Sequence, residues 1–168
     1  GADVVVENFR AGTMDRLGFG WEALSRIKPD LIYCAMSGYG QRGPKAGLAA
    51  YDGAIQAASG MMSQTGHPET GPTRTGFMPV DMTTALNASF AIAAALYRRQ
   101  ATGEGQFIDV AMLDAAIVAQ AAQFSGYLNA GKLVGLNGNA SPPGQPTADV
   151  FPAIVAQAAQ FSGYLNAD

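Results

Sequence analysis

Two apolar runs rich in β-branched residues punctuate the first part of the chain. Val4 to Val6 is short, and Leu31 to Met36 is bounded by Pro29-Asp30 and Ser37-Gly38. Both read as buried strands of a parallel sheet, which present a continuous apolar run rather than an alternating one. Between them, Met14, Leu17, Leu24 and Ile27 recur with polar residues interleaved, predicting a helical crossover over Thr13 to Ile27. Strand, helix, strand is the repeating unit of an α/β fold. A second helical pattern runs from Asp52 to Met62 and gives way to a Gly-, Pro- and Thr-rich loop from Thr65 to Pro79. A long helix is predicted to start at Asp81, a favoured N-cap residue, with Met82, Leu86, Phe90, Ala93, Leu96 and Tyr97 at helical spacing. Arg98-Arg99 suit its C-terminal dipole, and Gly103 and Gly105 end it. Gln106 to Val110 reads as a strand and Leu113 to Leu128 as a further helix.

The tail breaks this pattern. Ile117 to Ala130 (IVAQAAQFSGYLNA) recurs letter for letter as Ile154 to Ala167, an offset of 37 residues. Repeat folds stack several imperfect copies, and the first 116 residues show no such period. The second copy therefore reads as a recent duplication, a joined sequence or an assembly fault. Residues 1–130 form the folded α/β part, residues 131–153, rich in Gly, Pro and Asn, a loop or linker, and residues 154–168 a non-native tail.

At 168 residues and 48% hydrophobic content, the chain has the apolar mass for one domain core. Ten Lys plus Arg against thirteen Asp plus Glu give a net charge of -3, which provides no broad basic surface for nucleic acid. The longest apolar stretch, Ala85 to Tyr97, falls short of the roughly 20 residues of a membrane-spanning helix, so no membrane partner is expected. The opening Gly1-Ala2-Asp3 has no initiator Met and no basic leader, and reads as the edge of a cut inside a larger protein. One cysteine, Cys34, leaves no internal disulfide or thiolate metal cluster and agrees with a reducing cytoplasm. No metal site is expected.

Gly38-Tyr39-Gly40-Gln41-Arg42-Gly43 matches the G-x-G-x-x-G dinucleotide pattern, but Pro44 follows where the fingerprint needs an opening helix. A plain Gly-rich turn is the better reading. The single histidine, His67, lies in the Gly/Pro/Thr loop and Cys34 lies mid-strand, so neither is placed as a nucleophile. Asp109 and Asp114 read as structural residues of a strand end and a helix start. Asp81, at the start of a very apolar helix, faces free backbone N–H groups and the positive dipole end, which should keep its carboxylate ionised. Such an aspartate is either a cap or a reactive group. Asn8-Phe9-Arg10 follows the first strand, where open α/β sheets hold ligands, and Arg16 is near in sequence. Tyr51, just before a helix, offers an aromatic wall with a hydroxyl.

The segments VVVENFRAGTMDRLGFGWEAL, KPDLIYCAMSGYGQRGP, AYDGAIQAASGMMSQTG and GFMPVDMTTALNASFAIAAALYRRQATGEGQFIDVAMLDAA resemble the class III CoA-transferases, the group of formyl-CoA transferase and carnitine CoA-transferase. The resemblance covers about residues 2–153, with four motifs in the family's order, among them E-N-F-R and P-V-D. It implies part of a Rossmann-like large domain, in a fold whose two chains interlock as a homodimer. Asp81 then falls on the nucleophilic aspartate, and Asn8, Phe9, Arg10 and Arg16 fall on CoA-contacting positions. Ala49, Ala50, Tyr51 and Asp52 fall on another CoA-contacting stretch, with Asp52 standing where formyl-CoA transferase has Glu. The implied chemistry passes CoA between an acyl-CoA thioester and a carboxylic acid, with CoA thioester as substrate and no tightly bound cofactor. The acyl-aspartyl anhydride and the aspartyl-CoA thioester are its intermediates, with helix-start N–H groups placed to stabilise the oxyanions.

The α-methylacyl-CoA racemase branch of the same superfamily is the rival reading, but it has a histidine base where this chain has Tyr51. With a reference pKa near 10, tyrosine is a poor base near neutrality. A non-catalytic truncated unit is the alternative of another class. The family's Gly-rich active-site loop and its N-terminal CoA contacts have no counterpart in the sequence, so residues 1–168 alone are expected to be inactive.

Overall fold

The computed structural model describes residues 1–138. Most of the predicted 131–153 linker and all of the 154–168 copy lie outside these residues. Three parallel strands, β1 (Val4–Glu7), β2 (Ile32–Ser37) and β5 (Gln106–Ala111), form a sheet in the order β1-β2-β5. Val4 pairs with Ile32, and Ile32 in turn with Gln106, so all three strands end at the same edge.

The β1–β2 crossover is two short helices rather than the single helix predicted from Thr13 to Ile27. These are α1 (Thr13–Arg16) and α2 (Trp21–Ile27), separated at Gly18 and Gly20. The apolar spacing continued across a point that the glycines break. The second predicted helix likewise stops early, as α3 (Asp52–Ala58), followed by a 3-10 turn at Met61–Gln64. Inside the expected loop, β3 (Gly66–His67) and β4 (Gly71–Pro72) pair as a small antiparallel hairpin. The predicted terminal helix divides at Gln120 into α5 (Met112–Ala119) and α6 (Ala121–Ala130).

The long helix, α4 (Pro79–Thr102), begins two residues earlier than predicted, with Met78 at the cap position and proline at its start. Proline is preorganised for a first helical turn and has no N–H to leave unpaired there. At the far end Gly103 caps the helix in the left-handed region at φ 71°, a conformation that costs other residues a Cβ clash.

Each face of the sheet packs differently. Ile32, Cys34 and Ile108 meet Ala88 and Ala95 of α4, whose small side chains bring the helix close to the strands. On the opposite face, Trp21, Tyr33 and Phe107 form an aromatic cluster with ring centroids 5.8–6.3 Å apart. A third group, Ile55, Val80 and Ala116, is fully buried and locks α3, the start of α4 and α5 together. Fully burying side chains of this size is worth about 1.5–3 kcal/mol each for the larger ones. The outer side of α4 is open: Met82, Leu86, Phe90 and Tyr97 are 61–79% exposed. Among the described residues, no helix is long and apolar enough to cross a membrane.

Candidate functional site

Where the strands end, the chain departs into three loops that surround one cleft of about 600 Å3. After β1 come Asn8, Phe9 and Arg10; after β2 comes Gly38; before α3 come Ala49, Ala50 and Tyr51; and Asp81 enters from the first turn of α4. Seven of the nine residues singled out from the sequence thus line a single cavity at the carboxyl edge of a parallel sheet. That edge is where open α/β sheets bind ligands, because the loops diverge there and leave a crevice.

The loop positions are held by specific contacts. The Phe9 N–H donates to the buried Glu7 carboxylate at 2.8 Å, which turns the chain as it leaves β1. Burial raises the Glu7 pKa, while the bond from Phe9 opposes that rise. Gly38 must be glycine for a steric reason, since a Cβ there would run into the Ala50 methyl. The close approach draws the Ala49–Tyr51 stretch against the end of β2. Tyr51 and Phe9 remain 72% and 52% exposed, leaving two aromatic surfaces facing solvent at the cleft.

Asp52 is buried behind the cleft instead of lining it. Its Oδ2 accepts the Val80 N–H at 2.9 Å and the Asp81 N–H at 3.1 Å, and its Oδ1 accepts from the Gln56 amide. Gln56 is held in turn by Thr75, through Nε2 to Oγ1 at 3.0 Å and Oε1 from the Thr75 N–H at 3.0 Å. An aspartate of α3 therefore caps α4 across the fold. Two expectations for Asp81 are corrected by this. Asp81 is not the cap but the third residue of α4, and the amides meant to stabilise its carboxylate and the oxyanions are already engaged. Its pKa is raised, first by burial and then by the nearby Asp52 charge, rather than held down by the helix end. No described cation pairs with it.

Arg16 does not join the site: its Nη2 donates to Thr13 Oγ1 at 3.0 Å in α1, and it does not line the cleft. The Gly38–Gly43 run opens no helix; the next helical segment is α3. Cys34 is fully buried, with burial pushing its thiol up to about 11, which fits an inert core residue. His67 is exposed in β3. Asp109 accepts the Gln41 N–H at 2.9 Å, a structural tie between β5 and the glycine loop. Sequence reasoning overlooked Ser37, Thr84 and Met112, which also line the cleft. Ser37 was findable, because it directly follows the predicted strand Leu31 to Met36 and the same edge rule picked out Asn8.

The profile of CoA-transferase family III matches residues 1–159. The chain is 50% identical over 117 residues to acetyl-CoA:oxalate CoA-transferase of Acetobacter aceti, covering 69% of this chain and 30% of that protein. It is 42% identical over 155 residues to succinate–glutarate CoA-transferase of Agrobacterium fabrum, covering 89% of this chain and 39% of that one. A crystal structure of a CaiB/BaiF family protein from Brucella suis superposes with a TM-score of 0.80 at 43% identity, covering 84% of this chain and 37% of the other. The chain thus spans between 30% and 39% of the length of these relatives.

Proposed function

The chain belongs to CoA-transferase family III, and from that premise we propose that the complete protein passes CoA from an acyl-CoA thioester to a carboxylic acid, with Asp81 as the acyl-accepting carboxylate. The observation that carries this reading is the position of Asp81: an exposed carboxylate with no ion-pair partner among the described residues, in the same cleft as Asn8-Phe9-Arg10 and Ala49-Ala50-Tyr51. Arg10 brings a positive charge suited to the phosphates of CoA, and the aromatic faces of Phe9 and Tyr51 suit its adenine or pantetheine.

In the proposed sequence an Asp81 carboxylate oxygen attacks the thioester carbonyl carbon. The C–S bond breaks, CoA thiolate leaves, and an acyl-aspartyl anhydride forms. The thiolate then attacks the Asp81 carbonyl of the anhydride, releasing the donor acid and leaving an aspartyl-CoA thioester. The acceptor carboxylate attacks that thioester and again expels the thiolate, which takes the new acyl group and restores Asp81. Burial and the Asp52 charge raise the basicity of Asp81, and a more basic carboxylate is a stronger nucleophile once ionised.

In the complete protein, Asp81→Ala and Asp81→Asn should abolish transfer and leave CoA binding in place, and hydroxylamine should trap the activated Asp81 of the parent in the presence of acyl-CoA. Near-native turnover by either variant would remove Asp81 from the mechanism. Against the racemase reading, Tyr51 stands in the cleft and the chain's one histidine lies on β3. No α-proton of a 2-methylacyl-CoA should exchange with heavy water. We further assign the protein to the cytoplasm as a homodimer, and residues 1–168 alone to an inactive state, supported by the open apolar side of α4.

A further inference from the structure

A second hollow, of about 410 Å3, lies on the aromatic face of the sheet, away from α4. Strand register sets its floor: Glu7 stands beside Ala35 and Ala35 beside Asp109, so two carboxylates flank a methyl group where the strands end. The small Ala35 side chain leaves space above it, and Trp21, Tyr33 and Phe107 line that space together with Asp15 of α1.

Two polar groups on this hollow are unfinished. Tyr33 is 2% exposed and Glu7 7%, so both side chains are more than nine-tenths buried. Among the described residues the Tyr33 hydroxyl has no hydrogen-bond partner, and of the two Glu7 oxygens only Oε2 is used, by the Phe9 N–H. Neither free atom is enclosed. The enclosed side-chain polar atoms without a partner are Ser37 Oγ and Gln41 Nε2 alone, so Tyr33 Oη and Glu7 Oε1 keep accessible surface on the hollow that their residues line.

The charge around them is one-sided. Burial raises the Glu7 pKa against the opposing bond from Phe9, and the charges of Asp15 and Asp109 raise it further. Burial and the charges of Glu7 and Asp15 push the Tyr33 hydroxyl up to about 12. Arg42 is the one cation lining the hollow, and it forms no ion pair with Glu7 or Asp15. Among the described residues, no group of three His, Cys, Asp or Glu side chains is arranged to hold a metal ion. Carboxylates beside aromatic rings suit an organic cation.

We propose that this hollow binds the primary ammonium group of a small organic amine, which donates hydrogen bonds to Glu7 Oε1 and Tyr33 Oη while its carbon skeleton lies against Trp21. An ammonium has three N–H donors and no acceptor, which matches a site offering accepting oxygens and negative charge. The site is separate from the transfer chemistry and does not depend on the role of Asp81.

The test titrates the complete protein by calorimetry with phenethylammonium, and with 2-phenylethanol, which keeps the ring and chain without the charge. Saturable one-site binding of the amine alone is expected, with a raised Tm. Glu7→Gln should weaken that binding about tenfold or more, and Tyr33→Phe, which retains the core ring, about two- to tenfold. The two variants are independent, so misfolding of one leaves the other to decide. Asp81→Ala should bind the amine as the parent does. Absence of saturable binding overturns the proposal, as does equal binding of the alcohol or an unchanged affinity in a folded Glu7→Gln or Tyr33→Phe. Loss of binding in Asp81→Ala would place the amine in the cleft and also overturn it.

Discussion

At the edge where the strands begin, Asp3 and Asp30 sit among cations: Lys28 lies 3.4 Å from Asp3 and 3.0 Å from Asp30, and Arg99 lies 3.2 Å from Asp3 and 3.6 Å from Asp30. At the edge where the strands end, Glu7, Asp52 and Asp81 have no described cation and are satisfied by backbone amides or left open. The pKa directions divide accordingly. Hydrogen bonds from Lys28 hold both Asp3 and Asp30 below the usual carboxylate range, whereas burial pushes Glu7 and Asp81 above it. The first arrangement ties the end of α4 to the loops entering the sheet and neutralises itself. The second keeps negative charge poorly compensated, a state of little use to stability but of use to a nucleophile.

The largest stability effect should come from the uncompensated end. Asp52→Ala strands the Val80 and Asp81 amides, of which Val80 is fully buried, and should destabilise the complete protein by about 1–3 kcal/mol in denaturant unfolding. Asp52→Asn keeps an accepting oxygen and should cost less. Removing the Asp52 charge also removes one cause of the raised Asp81 pKa, so the acid limb of the transfer rate should move to lower pH in Asp52→Asn. An unmoved limb would mean that burial alone sets it.

A smaller effect is expected at Glu7. Its folded pKa is raised, so the stability tied to its protonated form is present below the unfolded pKa and is lost as pH rises through the folded pKa. Glu7→Gln should remove that loss and raise the Tm at neutral pH, with Phe9 still bonded to the amide oxygen. The smallest effect belongs to the paired end. Asp3 has a lowered pKa, so its contribution is present above the unfolded pKa and lost as pH falls through the folded one. Asp3 is exposed, and Asp3→Asn should shift Tm only slightly, by an amount that shrinks in high salt.

The strands were legible because their apolar runs are bounded by Pro-Asp and Ser-Gly, and the length of α4 was legible from its sustained helical spacing. What could not be read locally was its start: the residue that caps it, Asp52, lies 29 positions before Asp81 and reaches it only through the tertiary fold. The sequence offered Asp81 as the nearest capping type, although Pro79 was the better sign of a helix start. The glycines at 18 and 20 were equally visible, and the apolar period was allowed to run through them. For the site, seven of the residues that the family resemblance named line one cleft, whereas Arg16 and Asp52 do not. Ser37 carries no motif of its own.

The Asp52 bonds also decide which side of the cleft is able to give way. Tyr51 is joined covalently to Asp52, and Asp52 grips the first turn of α4 next to Asp81, so the tyrosine and the aspartate travel as one jaw. That jaw is bolted further through Gln56 to Thr75 and through the Ile55–Val80–Ala116 cluster. Opposite it, the Asn8–Gly12 stretch follows β1, which among the described residues borders β2 alone, and is tied by the bond from Phe9 to Glu7 and by the Thr13 N–H to the Arg10 carbonyl at 3.0 Å. The two sides of the cleft thus differ in how they are anchored: one is cross-braced to three helices through a buried carboxylate, the other is a short loop leaving a strand.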